Sequence, residues 1–330
     1  MTRGMEAMDV RSPREMGDDA LESVRFDGLR PGPRLIVLGA VHGNEPCGPA
    51  AIGRAMSEIR AGRLAIRRGA VTFVPVANPK AYRQRTREGD RNLNRDLRER
   101  TFPEDHEDRV GNRLCALLRE HDMLLDIHSM TGPGEPFVFA GPEDNRGAIE
   151  PFARAAAEWD VAVRLGTSVV IDGWLDGYGR FLAERERHGF PAQAVSEPVG
   201  TTEYMRFAGG YGVTIECGSH DDPAAIEVGY EAILRALAHL GLVDAPAPGV
   251  SARTAIRIVD SLLCATEGDR LEGSRVTGDP VAAGEIIARR ANGEAIRAPQ
   301  AGFVIFPDAG AVPGKQLCYL GVASDRGVGK

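Results

Sequence analysis

Two short motifs carry residue types that bind zinc in proteins. His42 and Glu45 stand three residues apart directly after an apolar run, and His128 follows a second apolar run that contains Asp126. Imidazole nitrogen and carboxylate oxygen both suit zinc, and three protein ligands leave a fourth position open, as in a catalytic zinc site. We therefore predict His42, Glu45 and His128 as ligands. Asp126 lies two residues from His128, on the same face of a strand, and is predicted to support it.

A third motif, Thr214-Ile215-Glu216-Cys217-Gly218, ends another apolar run. A carboxylate at the end of a buried strand is unfavourable unless it has a partner or a task. Beside a zinc ion, Glu216 can take a proton from water and pass it to a leaving amine. A strand end that merely faces the surface is the alternative interpretation. The neighbouring Cys217, like Cys47, is predicted to be a small buried hydrophobic residue.

Arginine and asparagine side chains in the segment 83–95 offer donors for the anionic parts of a substrate. Arg87 can polarise a scissile carbonyl and hold its oxyanion. Asn94 and Arg95 can bind a carboxylate, which a guanidinium grips through two parallel hydrogen bonds. Alternatively, these arginines pair with acidic neighbours such as Glu88 and Asp90 on a surface loop.

The elements that must position these residues alternate between strands and helices. Apolar runs predict strands at 34–41, 70–77, 123–127 and 213–215, and helical periodicity predicts helices at 47–59, 107–120 and 223–241. This order predicts an α/β domain with a largely parallel sheet. Because ligands bind at the carboxyl ends of such strands, His42, His128 and Glu216 are expected to meet at one edge of the sheet.

The composition changes at a proline-rich segment, 244–249, beyond which short strand-like runs alternate with glycine-containing turns. We predict a disordered lead-in at 1–22, a hydrolase domain at 23–245 and a β-rich C-terminal domain at 250–330.

The composition excludes several classes of protein. The chain has 330 residues and a formal net charge of −7, which gives no basic face for nucleic acid. It has no apolar run of about 18 residues, so no membrane span is predicted. Five cysteines without a Cys-x-x-Cys pair favour reduced thiols and a cytoplasmic protein.

In this order the motifs His42-Gly-Asn-Glu45, Asn78-Pro79, Asn94-Arg95 after Arg87, Asp126-Ile-His128 and Ile215-Glu216 resemble the succinylglutamate desuccinylase/aspartoacylase family. The family is a branch of the zinc carboxypeptidase-like hydrolases, and the resemblance covers about residues 34–240, with the β-rich C-terminal part also similar. It implies a mixed, largely parallel sheet flanked by helices and a small barrel-sandwich-like C-terminal domain.

The resemblance also implies roles for individual residues. One zinc ion per chain would be held by His42, Glu45 and His128, with Glu216 as general acid/base and Arg87 assisting at the carbonyl. Asn94 and Arg95 would grip the substrate carboxylate, and Arg206, ten residues before Glu216, would bind a second one. The implied activity is deacylation of a small N-acylated amino acid or related amide.

One departure from the family concerns Asn92, which stands where the family usually has Asp. The Asp is interpreted as an orienting residue behind the zinc ligands, so the change affects fine tuning rather than the zinc site. Together with Tyr204, which is out of register with the family's Tyr, it favours a substrate that has one carboxylate and a neutral or basic amino acid.

Other functions stay open at this point. A metallocarboxypeptidase could use the same zinc and glutamate on short peptides, although the β-rich C-terminal part favours small substrates. A carrier protein would need a modifiable lysine, and Lys315 is the only one before Lys330 in that region, without an adjoining Met. The identity of the acyl group and homo-oligomerisation are also open.

Overall fold

The structure, a computed structural model, describes residues 20–143, 152 and 154–328. The predicted disordered lead-in at 1–22 lies almost wholly outside the described residues.

Strands and helices alternate along the chain. The helices are α1 Cys47–Arg60, α2 Pro79–Gln84, α3 His106–Arg119, α4 Ala155–Ala162, α5 Trp174–Arg187, α6 Thr201–Phe207 and α7 Ala224–His239. The strands are β1 Val24–Asp27, β2 Arg30–Gly39, β3 Arg68–Val74, β4 Met123–Met130, β5 Phe137–Phe139, β6 Val169–Asp172, β7 Tyr211–Ser219, β8 Thr254–Leu263, β9 Arg270–Leu271, β10 Pro280–Val281, β11 Ile286–Arg289, β12 Ala295–Arg297, β13 Gly302–Ile305 and β14 Gln316–Ala323.

One large mixed sheet organises the fold, in the order β1-β3-β2-β4-β7-β5-β6-β8-β14-β13-β10. Its centre, β3-β2-β4-β7, is parallel. These strands are continuous apolar runs because helices cover both of their faces. The fold class is therefore as predicted, a mixed α/β sheet flanked by helices, and the predicted strands and helices of this part are confirmed.

Alternate residues of β2 enter two different cores. Leu35 and Val37 pack with apolar residues of α1 and α7 on one face of the sheet. Ile36 and Leu38 pack with apolar residues of α3 on the other face. All four side chains are fully buried. Burial on both faces fixes the register of β2, since a slip by one residue would exchange the two cores. The strand end that leads to His42 is thus held in place.

The sequence pattern predicts no strands or helices for the stretch 137–207. In its described part it holds β5 and β6 of the large sheet and helices α4, α5 and α6. These strands have three and four residues, too short for a periodic pattern to stand out.

The C-terminal strands continue the large sheet. β8 pairs in parallel with β6, and β14, β13 and β10 follow in antiparallel order. A separate three-stranded sheet, β12-β11-β9, packs against them. The β-rich character of this part is as predicted, whereas the division at 245–250 into two domains stays a prediction. Among the described residues, no helix has the length and apolarity to cross a membrane.

The turn from β2 into α1 depends on two glycines whose backbones touch. A Cβ at Gly39 would lie 2.8 Å from the carbonyl carbon of Gly48 and 2.8 Å from the carbonyl oxygen of Pro75. Real Cβ atoms do not approach backbone so closely, so the start of α1 would have to move. This contact holds α1 against the end of β2, beside the segment that carries His42 and Glu45.

We predict that Gly39→Ala lowers the free energy of unfolding by about 1–3 kcal/mol, the range for overpacking a dense site. Gly53→Ala is the matched control, because Gly53 lies within α1 and a Cβ there meets nothing within 4 Å. The control should gain about 0.5–1 kcal/mol from helix propensity. Urea denaturation of both variants measures this, and a Gly39→Ala protein as stable as the control would contradict the close contact.

Candidate metal centre and substrate pocket

His42 and Glu45 lie in the turn between β2 and α1, and both side chains are almost fully buried. Gly43 between them presses against α2, where a Cβ would lie 2.0 Å from the carbonyl carbon of Ala81. Only glycine fits this position. With Gly43 packed on α2, the imidazole of His42 and the carboxylate of Glu45 lie on the same side, with Nδ1 2.8 Å from a carboxylate oxygen.

His128 and Glu216 sit on neighbouring central strands. They are directly paired across β4 and β7, and both side chains are buried. The parallel strands thus bring these residues together with His42 at the carboxyl edge of the sheet, as the sequence predicted.

Both imidazoles point one nitrogen at the carboxylate of Glu45. Nδ1 of His42 lies 2.8 Å from one oxygen of Glu45, and Nδ1 of His128 lies 2.9 Å from the other. Potential ligand atoms of the three residues lie within 4.8 Å of one another. Two imidazole nitrogens and a carboxylate oxygen converging in a buried space fit the donor set of a divalent metal ion such as zinc. These three residues can therefore bind a metal ion together.

The outer nitrogens of the two imidazoles face oxygen atoms. Nε2 of His42 lies 3.2 Å from Oδ1 of Asn92, and Nε2 of His128 lies 2.9 Å from Oδ2 of Asp126. The contact of His42 with Asn92 has hydrogen-bond geometry, whereas His128 and Asp126 approach closely without it. Outer contacts of this kind orient metal-binding histidines. Asn92 thus occupies the orienting position interpreted from the sequence, where it provides a neutral oxygen instead of a charged one. Asp126 itself accepts a hydrogen bond from the hydroxyl of Thr201.

The pKa values at the centre reflect its burial. Burial lowers the pKa of His42 to about 4, and the charge of Arg87 adds to this shift. Burial would raise the pKa of Glu45, but the charges and hydrogen bonds of His42 and His128 outweigh it and hold that pKa well below its usual range. Glu45 is therefore a carboxylate at neutral pH, which is the protonation state that binds metal.

Glu216 has a different environment. Burial raises its pKa to about 8, with the charge of His128 opposing the shift and that of Glu45 adding to it. Its Oε2 atom is buried and has no hydrogen-bond partner among the described residues. An unpaired buried carboxylate oxygen on a residue that lines a pocket is expected to meet a ligand or water.

A pocket of about 220 Å³ opens beside these residues. Seven of the eight predicted site residues line it, namely His42, Arg87, Asn94, Arg95, His128, Arg206 and Glu216. The eighth, Glu45, touches both histidines.

Arg87, predicted to assist at the carbonyl, and the predicted substrate-binding residues Asn94 and Arg95 differ in their contacts. Arg87 is about half exposed, and its Nη1 lies 3.4 Å from Glu45. Arg95 donates to the carbonyl oxygen of Asn94, and its guanidinium lies over the rings of Trp174 and Tyr178. The side-chain oxygen of Asn94 accepts a hydrogen bond from the backbone of α6.

Arg206 is engaged with protein carboxylates. The residue is 4% exposed. It donates two hydrogen bonds of 2.9 Å to Glu158, one through Nε and one through Nη2, and Nη1 contacts Glu203 at 3.2 Å. Removing a cation from water is unfavourable unless such pairs compensate it. Arg206 therefore lies at the pocket, as its spacing from Glu216 suggested, with its positive charge already matched by Glu158 and Glu203.

Sequence reasoning missed Glu107, which organises the loop before Asn92. This fully buried carboxylate accepts hydrogen bonds from Asn78 and the backbone of Gly89 on one oxygen. Its other oxygen accepts from the backbone of Asp90 and Arg91. The loop that carries Arg87 and Asn92 is thus wrapped around one side chain of α3. Glu107 lies in the first turn of an amphipathic helix, where acidic residues are common, so no sequence signal marked it.

We predict that Glu107→Gln lowers the free energy of unfolding by about 1–3 kcal/mol, the range for a buried polar group left without a partner. Whichever way the amide is turned, its NH2 group faces N–H donors, because each oxygen of Glu107 accepts two of them. Glu120→Gln, an exposed change at the end of the same helix, is the matched control and should stay within about 0.5 kcal/mol of the parent. Equal urea midpoints for the two variants would contradict the role of Glu107.

Comparison with known proteins agrees with the motifs. Residues 31–157 match the family model for the succinylglutamate desuccinylase/aspartoacylase catalytic domain, which confirms the resemblance and supports a hydrolase role. No curated protein matches the chain.

Several solved structures are similar over nearly the whole chain. The product-bound ectoine utilization protein EutE (DoeB) from Ruegeria pomeroyi is 22% identical, with a TM-score of 0.68 over 91% of this chain and 88% of that one. A succinylglutamate desuccinylase from Silicibacter is 20% identical, with a TM-score of 0.69 over 92% and 89%. A succinylglutamate desuccinylase/aspartoacylase from Rhodobacter sphaeroides is 16% identical, with a TM-score of 0.70 over 92% and 90%. At these identities the likeness establishes a shared fold.

Proposed function

We propose that the protein is a zinc-dependent hydrolase that removes the acyl group from a small N-acylated amino acid or related amide in the cytoplasm. The observation that carries this proposal is the convergence of His42, Glu45 and His128 at the base of a pocket, with Glu216 directly across from His128. The family match over residues 31–157 supports it independently.

His42, Glu45 and His128 would hold one zinc ion per chain. When bound, zinc supplies a Lewis acid that polarises a carbonyl oxygen and makes water easier to deprotonate. The contacts of the outer imidazole nitrogens with Asn92 and Asp126 support this assignment, because they leave the inner nitrogens aimed at one point.

Glu216 would move the proton. Glu216 lines the pocket and has one buried, unpaired carboxylate oxygen, and a raised pKa lets a carboxyl group both take and release a proton near neutral pH. In this role Glu216 accepts a proton from the attacking water and delivers it to the nitrogen of the leaving amine.

Arg87 and the pair Asn94-Arg95 would bind the substrate. Arg87 is exposed enough to reach a substrate carbonyl oxygen, and its positive charge stabilises the negative charge that develops there. Asn94 and Arg95 would bind the carboxylate of the amino-acid half, since both line the pocket. For Arg206 we propose an indirect role, in which its ion pair holds Glu203 at the pocket wall.

The metal assignment predicts that the purified protein carries about one zinc ion per chain and that His128→Ala loses most of it, because a metal ion needs its full set of ligands for tight binding. The matched control is His188→Ala, whose imidazole lies on the surface of α5 near Glu184. Elemental analysis after gel filtration measures both. Full zinc occupancy in His128→Ala would exclude the assignment.

The catalytic assignment predicts that Glu216→Gln keeps zinc and fold but loses turnover by about 10²–10⁴-fold, the usual scale for a general acid/base. Glu227→Gln, an exposed change on α7, is the control and should retain full turnover. The assay is hydrolysis of a panel of N-acetyl and N-succinyl amino acids, with and without a chelator. Normal turnover in zinc-loaded Glu216→Gln would show that another group carries the proton.

A further inference from the structure

One wall of the pocket is aromatic. Phe139 at the end of β5, Trp174 at the start of α5 and Phe306 after β13 all line the pocket that holds His42, His128 and Glu216. The ring centroids of Phe139 and Trp174 lie 5.8 Å apart, and those of Phe139 and Phe306 lie 5.6 Å apart. The three rings are only partly buried. They therefore form one continuous surface, here called the aromatic wall. The parts of the three rings that are not buried can contact a ligand in the pocket.

Phe306 is held in this wall against a backbone preference. Its φ of 48° lies in the left-handed region, which non-glycine residues rarely occupy. Its N–H donates to the hydroxyl of Thr277 at 3.0 Å, and its ring packs on Phe137. Such strained positions persist when the surroundings enforce them, and they cluster at binding sites. The enforced position of Phe306 points to a use for its ring in the pocket.

The buried arginine of the pocket is already engaged by protein carboxylates. Arg206 is the buried cation that could receive a second carboxylate of the substrate, and Arg206 is paired with both Glu158 and Glu203. With these two partners, the guanidinium of Arg206 has less to offer a second substrate carboxylate.

A cationic side chain is disfavoured at the aromatic wall. The guanidinium of Arg95 already lies 5.1 Å from the ring centre of Trp174 and makes the cation–π contact that this ring can offer. Arg257 also lines the pocket and lies 3.8 Å from Asp176 at its rim. A second cation would therefore meet two arginines.

We propose that the aromatic wall selects substrates whose amino-acid half has a flat, apolar side chain, so that the preferred substrates are N-acyl aromatic amino acids. This inference rests on the proposed deacylase function. Arg95 assigns the aromatic wall to the amino-acid half of the substrate. Its guanidinium would bind the α-carboxylate, and the same guanidinium stacks on Trp174, which is part of the wall. The side chain next to that carboxylate then packs against the rings of Phe139 and Phe306.

The first test compares kcat/KM for four substrates that differ only in side chain: N-acetyl-L-phenylalanine, N-acetyl-L-alanine, N-acetyl-L-aspartate and N-acetyl-L-lysine. The phenylalanine substrate should exceed the alanine substrate by about tenfold or more, given the apolar surface removed from water. The aspartate and lysine substrates should not exceed the alanine substrate. A preference for either charged substrate, or equal values for phenylalanine and alanine, would overturn the inference while leaving the deacylase function intact.

The second test changes the wall itself. Phe306→Leu and Trp174→Leu keep apolar bulk but remove the flat ring, and each should reduce the phenylalanine-over-alanine ratio by about threefold or more. Phe102→Leu, at an exposed position outside the pocket, is the matched control and should leave the ratio unchanged. Because the readout is a ratio within one protein, a loss of folded protein cancels. An unchanged ratio in both wall variants would overturn the inference.

A binding measurement separates this inference from the proposed function. The chain has two tryptophans, so Trp159→Phe leaves Trp174 as the single reporter. Titration with L-phenylalanine should change its fluorescence at concentrations about tenfold lower than titration with L-aspartate or L-alanine. If no N-acetyl amino acid is hydrolysed by zinc-loaded protein, the proposed function fails, and the fluorescence titration still decides the inference. Equal responses to the three amino acids would overturn it.

Discussion

The buried carboxylate of Glu45 is the constraint on which the rest of the site depends. A single unpaired charge inside a protein is strongly unfavourable, so its surroundings must compensate it on every side. His42 and His128 contact its two oxygens, and the backbone N–H of Ser129 donates to one of them. Each imidazole must in turn be oriented through its other nitrogen, Nε2, which faces Asn92 in His42 and Asp126 in His128. The side chains of the centre are therefore arranged around one compensated charge.

The same requirement links the metal centre to the packing of the sheet. Asp126 and His128 lie on β4, which is buried along its whole length, so neither residue can turn away without exposing the apolar residues beside it. Asn92 lies on a loop with no strand of its own, and this loop is held through Glu107 on α3. One side of the centre is thus rigid because of apolar burial, and the other because of a network of hydrogen bonds.

The central strands and the metal candidates could be predicted from sequence because each combines a long apolar run with a polar residue at its carboxyl end. His42, His128 and Glu216 all obey this rule. The aromatic wall obeys no such rule, since Phe139, Trp174 and Phe306 come from distant segments and meet only through the strand order β5-β6-β8-β14-β13. The environment of Arg206 escaped prediction for a similar reason: its spacing placed it at the pocket, but its partner Glu158 lies on α4, far away in the sequence.

The two ends of the large sheet have a consequence for how copies of this chain can associate. One end is β1, with four residues, and the other is β10, a two-residue strand that begins with Pro280. Proline has no N–H to offer, and such short strands present few free backbone groups for another chain to pair with. Within the described residues, neither end provides a template for strand addition. Addition of a strand from a second copy at either end of the large sheet is therefore disfavoured, and contact between copies at these ends would have to use side chains.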